Sequence, residues 1–184
     1  MGEAYRSGRL AKEALITIND LEFFILILMY CAAVCRLREL REGGQTTREQ
    51  PIVKNWVNNM VAESWTHKAC RSSAASKALS IIFAGCMMSG ELGINAAWIS
   101  TDLNTLADRI SRLLDKNTTP NFHLLFQEFP QLKCCRRFVP GPELLSALYS
   151  ALLRQQAPDP TSIKITGHFV PVVISSLPGA PSTT

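Results

Sequence analysis

Charge and cysteine are both scarce in this 184-residue sequence. Charged residues make up 18% of the chain against 47% apolar residues, which excludes a disordered acidic or basic protein and leaves enough apolar side chains for a core. The net charge of +4 is mild, so it permits a polyanionic partner without indicating one. Six cysteines are too few for a disulfide scaffold in a chain of this length, so we expect reduced thiols in a cell interior.

The short motifs of several enzyme classes are also missing. The sequence has no serine-nucleophile motif, no phosphate-cradling glycine loop and no dinucleotide fingerprint. His67 and Cys70 are zinc-compatible residue types, but no second ligand pair stands at a suitable spacing, so we predict core or surface thiols instead of a metal centre. No small-residue cleavage site follows a hydrophobic run, and the predicted localisation is intracellular, cytoplasmic or nuclear.

The most apolar segment is FFILILMYCAAVC, residues 23–35. Its 13 residues are fewer than the roughly 20 that a helix needs to cross a bilayer, and Asp20 and Glu22 precede it directly. We therefore predict a core helix that is covered on all sides, with Asp20 as its N-cap or first-turn acid. The alternative is a small membrane-associated or protein-interaction module, in which this helix enters a bilayer or docks in a partner groove.

Apolar spacing along the chain predicts helices that alternate with short strands. β-Branched and aromatic residues indicate strands over residues 51–57 and 94–99. The spacing is helical in the following five segments: residues 58–65, 73–88, 105–114, 122–129 and 144–153. This order is an α/β layout. From residue 157 the chain is rich in proline and is predicted to be mostly disordered, with residues 169–177 as the one segment that can pair as a strand.

Three motifs follow one another in a particular order. They are ITINDLE (residues 16–22), VNNMVAESWTHK (residues 57–68) and WISTDLNTLADRISR (residues 98–112). Together they resemble the ribonuclease H domain of retroelement reverse transcriptases. In that family a glutamate starts the central helix, a strand ends in Asp-Asn before a helix with a tryptophan, and Ala-Asp heads the closing helix. Residues 122–153 are similar to the segment that follows this domain in tyrosine-recombinase-type and related elements.

The resemblance implies an incomplete ribonuclease H-like fold with two short strands and three or more helices. The family's sheet begins with a three-stranded antiparallel meander, which has no counterpart in these motifs. We therefore expect open apolar surface, marginal stability of the isolated chain, and self-association or borrowing of strands from a partner. The expected organisation is a basic segment over residues 1–13, a partial ribonuclease H-like domain over 14–115, a helical appendage over 116–156 and a Pro-rich disordered tail over 157–184.

The resemblance also implies a catalytic site. The family hydrolyses RNA in RNA–DNA hybrids with two Mg²⁺ ions, roughly 4 Å apart, held by four carboxylates. Glu22 matches the second acid and Asp108 the last, but Asn58 stands at the third, and the first belongs upstream of the matching residues. A neutral amide attracts a hard dication much less than a carboxylate does. The sequence is therefore interpreted as a degenerate retrotransposon fragment without nuclease activity or tight magnesium binding.

The same residues have simpler interpretations. Acidic residues such as Glu22 and Asp108 are favoured in the first turn of a helix by the helix dipole. Asn58 and Asn59 are residue types that favour a turn and a helix N-cap. Two further positions depart from the family, because Thr101 stands at its glycine position and Trp98 where histidine is common.

A basic and aromatic cluster suggests contact with nucleic acid. Its members are Trp65, His67, Lys68 and Arg71, which the resemblance places on the helix that follows the third acid. Such residues can contact the phosphate backbone of an RNA–DNA hybrid, although similar sets are common on any solvated helix.

Overall fold

The computed structural model of the protein describes residues 16–45, 50–68, 73–90, 92–107, 109, 126–153 and 157–172. Its helices there are α1 (Ile18–Glu42), α2 (Met60–Trp65), α3 (Ala74–Ser89) and α4 (Pro142–Leu152), with 3₁₀ turns η1 (Pro130–Cys134) and η2 (Pro160–Ser162). The strands are β1 (Ile52–Val57), β2 (Gly93–Trp98), β3 (Arg136–Pro140) and β4 (Gly167–Pro171). This mixture of helices with a few strands is compatible with the predicted α/β class.

The chain divides into two compact units. The first unit comprises Met1–Ser100 and Val139–His168, and it holds α1 to α4, β1, β2 and η2. The second unit comprises Thr101–Phe138 and Phe169–Thr184. Helix α4 packs against α3 in the first unit, although the sequence analysis assigned it to a separate appendage.

Helix α1 contains the apolar run and extends beyond it at both ends. Thr17 is its N-cap: the Thr17 hydroxyl accepts a hydrogen bond from the Asp20 backbone N–H, and the Asp20 carboxylate accepts one from the Thr17 backbone N–H at 2.8 Å. Asp20 is therefore the first-turn acid of a capping box. The expectation that the helix is covered on all sides is wrong. Ile25 and Met29, one turn apart, are 51% and 42% exposed because the packed elements leave this stripe of the helix open.

Strands β1 and β2 form a parallel two-stranded sheet, with Ile52 opposite Gly93 and Val57 opposite Trp98. Parallel neighbours need a crossover connection, and here α2 and α3 provide it. Both strands lie within a residue of their predicted bounds. Burial alternates along β1, so that Val57 is buried while Ile52 and Trp56 are 71% and 52% exposed. Helices usually cover both faces of a parallel sheet, whereas this sheet keeps one face open.

The core of the first unit centres on Tyr30 of α1, which is fully buried. Its ring contacts Phe83 of α3 edge to face at a centroid distance of 5.8 Å, and its hydroxyl donates a hydrogen bond to the Leu92 carbonyl at 3.1 Å. Phe23, two turns before Tyr30 on the same face of α1, makes a similar contact with Phe83 at 5.7 Å. Aromatic packing therefore joins α1 to α3.

The predicted disordered tail is part of the fold up to residue 172. Residues 157–172 contain η2 and β4, and Ile163 and Ile165 are buried. Turn η2 packs so closely on α3 that a Cβ at Gly85 would lie 2.5 Å from the Pro160 carbonyl oxygen. Proline richness predicted disorder here. The segment is ordered because the two isoleucines are buried in the first unit. In addition, Arg38 donates a hydrogen bond to the Ile165 carbonyl at 2.8 Å. Residues 173–184 lie outside the described residues.

The second unit contains short helical turns at residues 105–107 and 126–128. The Arg109 Nε lies 3.0 Å from a Glu128 carboxylate oxygen. Phe138 of β3 and Phe169 of β4 stack at a centroid distance of 5.3 Å, and the two strands pair in a second two-stranded sheet. The remaining parts of the helices predicted over residues 105–114 and 122–129 lie outside the described residues.

Candidate functional site

The start of α1 adjoins the corner at which β1 ends and α2 begins. Asn59 is the N-cap of α2, and its side-chain oxygen accepts hydrogen bonds from the backbone N–H groups of Val61 and Ala62 at 2.9 and 3.1 Å. Its amide nitrogen donates a hydrogen bond to the Asn19 side-chain oxygen at 2.7 Å. We call this junction, comprising Asn19, Glu22, Asn58 and Asn59, the asparagine corner.

Glu22 belongs to this corner because it lies on the same face of α1 as Asn19, three residues along the helix. Its side chain is half-buried, and burial raises the pKa of its carboxyl group above the ordinary 4.5. Asn58 is exposed at the end of β1. The sequence analysis interpreted Asn59 as a simple cap, and the structure confirms this; the hydrogen bond to Asn19 spans 40 residues and has no local sequence signal.

The side chains of the asparagine corner are one carboxyl group and three amides. Its described members supply one carboxylate with a raised pKa and neutral amides, whereas Mg²⁺ prefers anionic oxygens. Within the described ranges, no group of three or more His, Cys, Asp or Glu side chains is placed to hold a metal ion. Asp108, the other predicted ligand, lies outside the described residues.

We expect Glu22→Gln to raise the melting temperature at neutral pH. A carboxyl group whose pKa is raised in the folded state binds its proton more readily there, so stability falls as the pH rises above 4.5. Glutamine mimics the protonated form and removes this loss, and the two proteins should converge below pH 4.5. Thermal unfolding followed by circular dichroism between pH 4 and 8 measures the difference. Glu42→Gln, at an exposed position on the same helix, is the control; an equal gain in both variants contradicts the prediction.

The structure describes three of the predicted nucleic-acid-binding residues, which are Trp65, His67 and Lys68. Trp65 is half-buried and meets the ring of Phe23 edge to face at 5.5 Å, so it serves packing between α2 and α1. His67 and Lys68 are exposed just beyond α2. Arg71 lies outside the described residues.

The open face of β1 carries a basic and aromatic pair that the sequence analysis missed. The Lys54 ammonium lies 4.2 Å from the centroid of the Trp56 ring, and both side chains are exposed. Alternation along IVKNWV could have identified it, because side chains two residues apart share a face of a strand.

The structure describes five of the six cysteines, three buried and two exposed. Cys31 and Cys86 are fully buried, with their Sγ atoms 3.7 Å apart between α1 and α3. The contact with Cys86, together with burial, raises the pKa of the Cys31 thiol. Cys35 is also buried, whereas Cys134 and Cys135 are exposed.

Helix α1 is long and apolar enough to span a membrane by length and composition. Half of its most apolar 18-residue window is buried, and a core helix or a signal sequence meets the same criteria of length and composition. Its length of 25 residues exceeds the 13-residue apolar run because polar turns extend it at both ends.

Comparison of the chain with protein-family models, with curated proteins and with solved structures finds no match. The fold therefore defines the class only as a mixed α/β protein, built on a parallel strand pair with a helical crossover.

Proposed function

We propose that this chain derives from the ribonuclease H-like domain of a retroelement reverse transcriptase and has lost the nuclease activity. The order of its elements supports the proposal: a core helix is followed by a strand, a helical crossover and a second strand parallel to the first. The resemblance of the three motifs implies the same order of helix, strand, helix and strand.

The hydrogen bond between Asn59 and Asn19 is the observation that carries the proposal. In the family, the second and third acids act on the same metal ions, so the start of the central helix must adjoin the end of the following strand. In this chain the start of α1, with Glu22, adjoins the end of β1, with Asn58. A junction that has Glu22 but asparagine in place of the third acid fits a degenerate nuclease.

Loss of activity follows from the charge of the junction. Two-metal hydrolysis needs anionic oxygens that hold the cations beside the phosphate. Asn58 contributes a neutral amide where the family has aspartate, and the raised pKa of Glu22 shows an environment that disfavours charge. The ancestral site would have held Mg²⁺ with four acids, and Glu22 and Asp108 are the two that match in this chain.

The direct test is incubation of the purified chain with a labelled RNA–DNA hybrid and Mg²⁺. We expect no cleavage above the rate of a protein-free control. Cleavage by the chain that disappears in Asp108→Asn would overturn the proposed loss of activity, since it would show that the remaining acids suffice.

Restoring the third acid tests the proposed ancestry. In Asn58→Asp, a carboxylate returns to the junction beside Glu22, and we expect Mg²⁺ to raise the melting temperature of this variant alone. A ligand at ten times its dissociation constant stabilises the folded state by about 1.4 kcal/mol. Asn95→Asp, an exposed position on β2, makes the same change of charge elsewhere and is the matched control. Equal responses of the two variants to Mg²⁺ would argue against the ancestry.

Two partners belong to this proposal. An RNA–DNA hybrid or other nucleic acid would contact the exposed His67 and Lys68, with electrostatic binding that weakens as salt increases. A second copy of the chain would cover the open face of β1, where Ile52 and Trp56 are exposed. Light scattering against concentration measures this self-association, and a monomeric mass throughout would exclude it.

A second candidate is a membrane-associated or protein-interaction module that uses α1. The length and apolar composition of this helix favour it, as do the exposed side chains of Ile25 and Met29. Insertion would require α1 to leave its contacts with α3 and α4. Sedimentation with membranes after carbonate extraction would support the anchored form, and release into the soluble fraction would exclude it.

A further inference from the structure

Two neighbouring thiols, Cys134 and Cys135, lie exposed at the end of η1. In an extended strand, consecutive side chains point to opposite faces. Cys134 and Cys135 are not in a strand, because Cys134 is the last residue of η1 and Cys135 is its C-cap. Both thiols consequently approach one acceptor. The Gln131 carbonyl oxygen lies 3.1 Å from the Cys134 Sγ and 3.9 Å from the Cys135 Sγ. The end of the 3₁₀ turn thus brings two exposed sulfur atoms to the same side of the chain.

The residues next to the two thiols in sequence are basic, and the nearest acids in sequence are Glu128 and Glu143. Arg136 and Arg137 follow directly and are exposed, and no aspartate or glutamate occurs in residues 129–142. Arg136 is fixed beside the strand pair, because its guanidinium donates a hydrogen bond to the Phe169 carbonyl at 2.8 Å. This surrounding favours a bound group with net negative charge.

The two thiol groups favour one class of metal ion over others. In the part of the chain that the structure describes, no His, Asp or Glu joins these thiols to make a three-ligand group. Structural zinc takes four ligands, and magnesium takes oxygen, so neither fits a pair of sulfurs. Two thiolates without further strong ligands suit a soft monovalent ion.

We propose that Cys134 and Cys135 form a two-thiolate binding site for a soft monovalent metal ion of the Cu(I) class. Binding forms two metal–sulfur bonds and breaks two S–H bonds: one Cu⁺ and two thiols give a bis-thiolate complex of charge −1 and two protons, which pass to solvent. No electron is transferred. Arg137, which is exposed two residues beyond Cys135, offsets the negative charge of the complex. The site is independent of the asparagine corner and of the proposed nuclease ancestry.

The test is a competition titration of the full, reduced chain under anaerobic conditions with Cu(I) held by bathocuproine disulfonate. Cys134→Ser, Cys135→Ser and the double variant are compared with the unaltered chain. All of them keep the other four cysteines, so differences report on this pair alone. We expect each of the three variants to lose about one molar equivalent of bound Cu(I), because one thiolate alone cannot form the complex.

Two further readouts distinguish the pair from adventitious binding. Release of about two protons per ion, measured in weakly buffered solution, supports the two-thiolate complex. Arg137→Gln should keep the stoichiometry and weaken the affinity several-fold, because it removes one neutralising charge. Unchanged Cu(I) capacity in the double variant would overturn the proposal, as would full capacity in either single variant.

Discussion

Replacing Tyr30 by alanine is expected to lower the free energy of unfolding by about 4 kcal/mol, the range for removing a large buried aromatic side chain. Tyr30 is fully buried at the centre of the first unit and packs edge to face against Phe83. Its hydroxyl packs against Gly90 so closely that a Cβ there would clash with it. Urea denaturation followed by circular dichroism measures the loss.

Tyr30→Phe is the matched control, since it removes only the hydroxyl. We expect a loss of about 1 kcal/mol, for the hydrogen bond to the Leu92 carbonyl. Burial raises the pKa of Tyr30 from 10.0 to about 12, so the stability of the unaltered chain should fall relative to Tyr30→Phe as the pH rises above 10. Equal losses in the alanine and phenylalanine variants would show that the ring packing contributes nothing.

Replacing Asp20 by alanine is expected to cost about 3 kcal/mol, because hydrogen bonds to a charged group are stronger than neutral ones. The carboxylate is fully buried and accepts hydrogen bonds from the Thr17 backbone N–H at 2.8 Å, the Thr17 hydroxyl at 2.7 Å and the Ser73 hydroxyl at 2.8 Å. It therefore holds the start of α1 against the start of α3. Chemical denaturation of the variant measures the cost.

The bond to Ser73 can be isolated with a double-mutant cycle. Ser73→Ala alone should cost about 1 kcal/mol, since Ser73 is also the N-cap of α3. If the carboxylate couples the two helices, the double variant will be less destabilised than the sum of the single variants, by about 1 kcal/mol. Additive losses would mean that the two caps act independently.

Local pattern predicted those elements whose side chains repeat with a helical or strand period. Strands β1 and β2 were identified from β-branched residues, and α3 from its apolar spacing, each within about two residues of the observed bounds. Asn59 was identified as a cap because short polar side chains accept from free N–H groups at a helix start. These features depend on neighbours in sequence.

The candidate site was predictable only in part. The resemblance predicts an acid at position 58 where the chain has asparagine, but the approach of Asn19 to Asn59 depends on how α1 packs beside β1. The exposed stripe of Ile25 and Met29 was predicted to be buried, because composition shows how apolar a helix is and not which neighbours cover it.

The amino-acid order alone predicted α1, α3, α4, β1, β2 and the cap of α2, but it predicted neither β3 nor the folded residues 157–172. Tertiary packing decided that residues 157–172 fold back on α3 and that Asp20 bonds to Ser73, whereas the approach of two thiols to the Gln131 carbonyl is local to η1. The reason is physical: secondary structure follows from interactions within a few residues, whereas burial and hydrogen bonding across the chain depend on which surfaces meet.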